Sequence, residues 1–467
     1  MQPNMRAALR SPELLLLSAL ALLTRFWGLF SPDIVIWDEM HFERFVGGYY
    51  TGRYFIDVHP PLGKLLLFWS ARLLGIPGDA LVRVQPAPLL RVVPALAGAL
   101  LIPVVYLLLR ELKASRRIAT LAAFVILLDN ALLVESRLIL MDSMLIFFAM
   151  LSLLLYVAGR RRMHWHRFWC LLGAAVAAGA AASIKWTGLT ALGLIMLDWM
   201  IEGIARRWRF VPLAREGALL MGVPVLIYAG SFAMHFALLP NSGTGDSWMS
   251  PQFRATLVGS PEYVPGATIS FARAVHELNN AMSAINIGWA TDRNNGASPW
   301  YTWPIAKHSM GFWTEKVTDG ERWIVLFGNP VVWLGTLAGV LIVLVSLARR
   351  STALSGQGRV LSFLGVAWLV NFVPFAFIQR PMYLYHYFIA LIFSVMFASM
   401  GIGALAGWAG DDGDQLWAFP SRAARLWYAG VAGLTLAAFV YLAPMSYGWT
   451  LGPSALEHRR DVIERHL

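Results

Sequence analysis

LLRVVPALAGALLIPVVYLLLRELKASRR, residues 89 to 117, holds the pattern that decides the fold. From Val92 to Leu109 no residue carries a charge. A helix of about 20 apolar residues satisfies its own backbone across roughly 30 Å of hydrocarbon, and this run is long enough to do so. It stops at Arg110, Lys113, Arg116 and Arg117. Clustered cations beside a span mark the cytoplasmic side. One stretch therefore supplies both a membrane crossing and its direction.

The same alternation of apolar run and basic connection recurs throughout. Spans are predicted at 13 to 30, 88 to 109, 118 to 135, 138 to 159, 168 to 184, 187 to 203, 217 to 238, 330 to 348, 359 to 377, 385 to 407 and 426 to 443, eleven in all. The first lacks a cleavage site and is read as a retained span. Connections on one side carry Arg6 and Arg10; Arg110, Lys113, Arg116 and Arg117; Arg160, Arg161, Arg162 and Arg167; Arg206, Arg207, Arg209 and Arg215; Arg349, Arg350 and Arg359; and Arg422 and Arg425. Those are assigned to the cytoplasm, which leaves two long outer loops, 31 to 87 and 239 to 329.

The chain of 467 residues fits this reading: 58% are hydrophobic, 14% are charged, and mean hydropathy is +0.58. Soluble and disordered classes are excluded. Twenty Trp and fourteen Tyr suit helix ends that repeatedly meet headgroups. The net charge of +11 is explained by topology, so no nucleic-acid partner is expected. The single cysteine, Cys170, permits neither a disulfide framework nor a thiolate metal cluster. The chain is expected to be an all-α polytopic membrane domain over 1–467, without an internal repeat.

In the first outer loop, His41, Phe42, Phe45, Val46, Tyr49 and Tyr50 recur at helical spacing, and Leu62, Leu65, Leu66, Trp69 and Leu73 do so after His59-Pro60-Pro61. Two amphipathic helices, the first lying on the bilayer surface, are predicted. The second outer loop holds NSGTGDS, DRNNGASPWYTWP and a helix near 268 to 284. Ionisable residues at the outer ends of spans are informative, because burying a charge costs roughly 2.5 to 3.5 kcal/mol on insertion scales. They are Asp38 and Glu39, Glu135 and Arg137, Lys185, and Arg380 with His386. If these converge, a carboxylate removes a proton from a nucleophile while cations hold a departing phosphate. For each residue a structural role is the alternative: Arg and Lys snorkel to the interface, and Asp38 and Glu39 cap the following helix.

WDEMHFERFVGGYYTGRYFIDVHPPLGKLL, residues 37 to 66, resembles the first luminal loop of the protein O-mannosyltransferases. LLRVVPALAGALLIPVVYLLL, LLVESRLILMDSMLIFF, SIKWTGL and RPMYLYHYFIALIF are similar to that family in the same order. The resemblance implies a GT-C glycosyltransferase fold with about eleven transmembrane helices. It also implies a dolichyl- or other polyprenyl-phosphate mannose donor and a Ser/Thr hydroxyl on a translocated protein as acceptor. Carried onto this chain, the acidic pair is Asp38 and Glu39, with Asp38 as general base and Glu39 as partner, or the reverse. A β-linked donor and an α-linked product imply one inverting displacement. Arg137, Lys185, Arg380 and His386 are the phosphate-clamp candidates, and His59, Lys64, Glu135 and Tyr385 either line the site or shape its loops. Trp300, Tyr301, Trp303 and His308 either close over an acceptor or form an interfacial belt.

The second outer loop shows no MIR-type β-trefoil, unlike the eukaryotic pattern, so a compact bacterial-type member is expected, in the inner membrane with its site facing the periplasm. Dimers are common in the family. No cofactor and no metal are expected, since no tight set of His, Asp and Glu ligands appears. A nucleotide-sugar donor is not expected either, for want of a phosphate-binding glycine motif. The rival readings are a GT-C transferase acting on lipid A or another envelope glycolipid, and a lipid or solute transporter. A transporter is disfavoured because the charges sit at span ends and no two halves match.

Overall fold

The computed structural model describes residues 9–78, 81, 87–205, 210–288, 297–410 and 416–466. Arg6, Arg206, Arg207, Arg209 and the opening residues of DRNNGASPWYTWP lie outside the described residues.

The helices follow the hydropathy. They are α1 (Pro12–Phe26), α2 (Glu39–Thr51), α3 (Leu62–Leu73), α4 (Val92–Glu111), α5 (Arg116–Leu127), α6 (Asn130–Ser136), α7 (Asp142–Arg160), α8 (His164–Ile184), α9 (Leu189–Ala205), α10 (Phe210–Leu238), α11 (Phe271–Gly288), α12 (Pro330–Ala348), α13 (Gly358–Val370), α14 (Phe388–Leu405), α15 (Arg422–Tyr447) and α16 (Pro453–His466). All eleven predicted spans fall on helices, but not all are single crossings. Among the described residues nine helices are long and apolar enough to cross a membrane, and the α5–α6 pair makes a tenth. The first predicted span, 13 to 30, contains only the 15-residue α1, about 22 Å long, and its last turns are taken up by a loop.

The span predicted at 118 to 135 is broken, with α5 and α6 meeting at 61°. Asp129 makes the break. One of its carboxylate oxygens accepts from the Leu132 N–H at 2.9 Å and caps α6. The other accepts from the Asn329 N–H at 3.1 Å and the Trp333 indole at 2.7 Å. An acidic cap held by the Asn329 N–H and the Trp333 indole fixes the start of α6 at this break.

The basic connections meet at one end of the bundle, where acids answer them. Arg116 pairs with Glu13, Arg160 with Asp198 and Glu202, Arg161 and Arg162 with Glu111, and Arg167 with Glu216. At the other end lie α2 and α3. The apolar face of α2 turns onto protein: Phe45 stacks on Phe55 at 4.8 Å, and Tyr49 shares a 2.9 Å hydrogen bond with His235 of α10.

Within the all-α bundle the second long loop carries one hairpin, of β1 (Met310–Val317) and β2 (Gly320–Leu326). Thr318 and Asp319 form the two-residue turn, and Gly320 opens β2 opposite Val317. Gly320 has φ +148°, and a Cβ there would lie 2.0 Å from the Leu451 carbonyl oxygen, so glycine is required.

Candidate active site

Asp38 sits immediately before α2, after Trp37, whose φ of 50° is the left-handed conformation that non-glycine residues avoid. The Trp37 ring stacks on Phe312 of β1 at 5.0 Å, so hairpin packing holds this turn. The Asp38 side chain does not cap α2, and among the described residues it has no hydrogen-bond or ion-pair partner. It is half-buried and within electrostatic reach of His41, Lys185, Asp57 and Asp142. Burial raises its carboxyl above the ordinary carboxylate value, against the opposing pull of His41 and Lys185.

Glu39 points the other way. It is 1% exposed, and Arg91 Nε and Nη2 each donate to one of its oxygens at 2.7 Å. The Ile36 and Ile139 N–H groups donate to it as well, at 3.1 and 3.0 Å. With four donors it is an anchor for the first loop, which corrects the catalytic partnership predicted for it. Arg91 was missed by sequence reasoning, although it stands at the outer end of a span in a quoted motif.

Opposite Asp38 stands Lys185, where α8 stops in extended backbone. Its ammonium donates to both Asp142 oxygens, at 3.0 and 3.1 Å, and lies 5.1 Å from the centre of the Tyr385 ring. Asp142 was likewise missed, although its place in LILMDSM at the start of a predicted span was visible. Glu135 is buried in charge range of Asp142, Lys185 and Asp38, and its Oε2 has no partner among the described residues. Arg380 and His386 come from the connection before α14. Arg380 Nη2 lies 3.3 Å from His386 Nε2, and the imidazole stacks on Tyr385 at 4.6 Å. His59 joins them electrostatically. Burial, with Lys185, Lys64 and Arg380 nearby, holds its imidazole well below the ordinary value, so it is neutral near pH 7.

The structure thus brings together Asp38, His59, Glu135, Lys185, Arg380, Tyr385 and His386. It does not bring Arg137. That guanidinium donates to the carbonyls of Arg25 at 2.9 Å, Trp27 at 2.7 Å and Gly28 at 3.0 Å, and lies over the Tyr447 ring. Its donors are consumed by the open C-terminal end of α1, which corrects its assignment to the phosphate clamp. Lys64 is also structural: it binds Asp57 at 2.5 Å and the His59 and Pro60 carbonyls at 2.8 and 3.0 Å, holding the HPP turn. Trp303 is wholly buried, donates to Ser298 at 2.8 Å and stacks on His386. It supports the site from behind and is closed to an acceptor. Trp300 packs on Phe372, while Tyr301 and His308 are exposed. Among the described residues no three His, Cys, Asp or Glu side chains converge as metal ligands.

The bundle that holds this first loop superposes on solved membrane proteins. The Saccharomyces cerevisiae Pmt1-Pmt2 complex bound to the sugar donor superposes with a TM-score of 0.85 at 17% identity, over 98% of this chain and 92% of that one. ArnT from Cupriavidus metallidurans bound to undecaprenyl phosphate gives 0.53 at 17%, over 95% and 77%. These likenesses show the fold. In sequence, residues 15–240 match the dolichyl-phosphate-mannose-protein mannosyltransferase family, and residues 271–462 match the C-terminal four-transmembrane region of protein O-mannosyltransferase. The chain belongs to the protein O-mannosyltransferase family. Protein O-mannosyltransferase 1 of Drosophila melanogaster is 34% identical over 274 residues, 55% of this chain and 31% of the relative. Dolichyl-phosphate-mannose–protein mannosyltransferase 1 of Saccharomyces cerevisiae is 34% identical over 277 residues, 54% and 34%. The chain spans about a third of the length of these relatives.

Proposed function

We propose that the protein transfers mannose from polyprenyl-phosphate mannose, of dolichyl type, to Ser and Thr hydroxyls of translocated proteins on the extracytoplasmic face. The observation that carries this is the unengaged Asp38 carboxylate across from Lys185, with Arg380 and His386 beside it. The acceptor hydroxyl oxygen bonds to the anomeric carbon as the carbon–oxygen bond to phosphate breaks. Its proton passes to Asp38, and the electron pair leaves with the polyprenyl phosphate. One displacement from the far face inverts the centre, and no covalent glycosyl-enzyme forms. Lys185 and Arg380 stabilise charge growing on the phosphate, as preorganised cations do in a dry site. They supply fixed charge where other transferases use a divalent ion, so turnover needs no metal.

The basic connections support a cytoplasmic placement of the opposite face. The compact second loop supports a bacterial inner-membrane enzyme with a periplasmic site, and the paired Saccharomyces cerevisiae complex supports assembly as a dimer. The test incubates the purified protein in detergent with radiolabelled polyprenyl-phosphate mannose, a Ser/Thr-rich peptide and lipid A. Label in the peptide is expected. Label in lipid A alone would overturn the acceptor assignment, and no transfer to either would overturn the donor.

A further inference from the structure

The hairpin that braces Trp37 has one closed edge and one open edge. On β2, Glu321 exchanges both backbone hydrogen bonds with Leu451, at 2.9 Å each, so its N–H and C=O point away from β1. Lys316 stands opposite Glu321, and in an antiparallel ladder such a pair faces outward on both strands. Lys316 and, two residues back, Thr314 therefore direct their N–H and C=O groups to the outer side of β1. Both are exposed, and among the described residues these groups have no backbone partner. A two-stranded ribbon is the least self-sufficient of sheets, and an open edge is a template for another strand.

The position of that edge gives it meaning. A bulge between Gly311 and Trp313 leaves Phe312 as the extra residue, and its buried ring is the one that stacks on Trp37, next to Asp38. Thr314 begins two residues further on, about 7 Å along an extended strand.

We propose that the outer edge of β1 binds the acceptor polypeptide as an added strand, through backbone hydrogen bonds at Thr314 and Lys316, and so delivers a Ser or Thr toward Asp38. This rests on the transferase reading above. Backbone pairing ignores most side chains, which suits acceptors that share little beyond a hydroxyl. A second copy of this chain is the poorer occupant, because antiparallel self-pairing about Glu315 sets Glu315 against Glu315.

The test measures mannose transfer by the wild-type protein to a Ser/Thr peptide and to a series N-methylated at one residue each. KM should rise about tenfold, one lost hydrogen bond, at alternate residues and stay unchanged between them. Thr314→Pro, tolerated where an edge N–H faces outward, should raise peptide KM similarly and leave donor KM alone. A flat N-methyl series with wild-type KM in Thr314→Pro overturns the proposal. So does a Thr314→Pro protein that changes from dimer to monomer at constant KM, which would assign the edge to a second copy. If wild type fails to label even the unmodified peptide, the transferase reading itself has failed, and this assignment falls with it.

Discussion

Replacing Arg91 by Met separates the structural role of Glu39 from a chemical one. Arg91 and Glu39 are each 1% exposed. Besides its two bonds to Glu39, Arg91 donates to the carbonyls of Pro32 at 2.7 Å, Ile34 at 3.0 Å and Leu29 at 3.3 Å, tying together the whole approach to Asp38. Arg91→Met leaves a buried carboxylate with two backbone donors and no countercharge. Breaking a buried pair from one side costs about 3–5 kcal/mol, whereas replacing both partners by apolar groups is often close to neutral. The Glu39→Leu/Arg91→Met double variant should therefore be less destabilised than the two single changes summed. It will not reach wild type, because the Ile36 and Ile139 N–H groups lose their acceptor, at about 1–3 kcal/mol each. Thermal unfolding in detergent reads the stability; donor binding and single-turnover transfer read the site. A displacement of Asp38 by 1 Å should lower transfer on the order of a hundredfold with little change in donor affinity. The reasoning is refuted if Arg91→Met unfolds at the wild-type temperature. It is also refuted if Glu39→Gln retains that temperature yet abolishes transfer, since Glu39 would then touch substrate.

Asp38→Asn should lower kcat by about 10²–10⁴ while donor binding, followed by a fluorescent polyprenyl phosphate, persists. Because burial raises the Asp38 carboxyl, wild-type turnover should fall on the acid side at a pH above the usual carboxylate range; a pH–rate profile checks this, and that limb should vanish from the residual rate of Asp38→Asn. Burial holds the Glu43 carboxyl at about 7, so it favours the fold below its ordinary value and loses that contribution as pH rises toward 7. Unfolding temperature measured from pH 4.5 to 7 should accordingly decline less in Glu43→Gln than in wild type. Arg137→Ala should lower the unfolding temperature and leave donor KM of the folded fraction unchanged, since the guanidinium serves α1. Exhaustive chelation should leave the transfer rate unaltered; loss of activity restored by manganese would contradict a cation clamp made of Lys185 and Arg380.

Much of the candidate site was legible because a charge at the end of an apolar run is costly wherever it goes, and Asp38, Glu135, Lys185, Arg380 and His386 all declare themselves that way. Their direction was not legible. Asp38 and Glu39 are neighbours of the same charge, yet one faces Lys185 and the other is drawn inward by Arg91. Arg137 looked as suitable for phosphate as Lys185, until the carbonyls left open by α1 absorbed its donors. Hydropathy also hid the break at Asp129, because α5 and α6 are apolar on both sides of it, and the hairpin turning at Thr318 and Asp319 was masked by the polar loop around it.

By itself the sequence determines which segments enter the membrane, the class of chain that results, and the level at which its charges lie. Transfer of apolar and charged groups into hydrocarbon depends on composition along the chain, so a linear reading suffices. Only the tertiary structure decides which of Asp38 and Glu39 is left without a partner among the described residues and which cation confronts it. Hydrogen bonds and ion pairs act over about 3 Å, and the partners that satisfy Glu39 and Arg137 come from elements remote in sequence that packing brings within that distance.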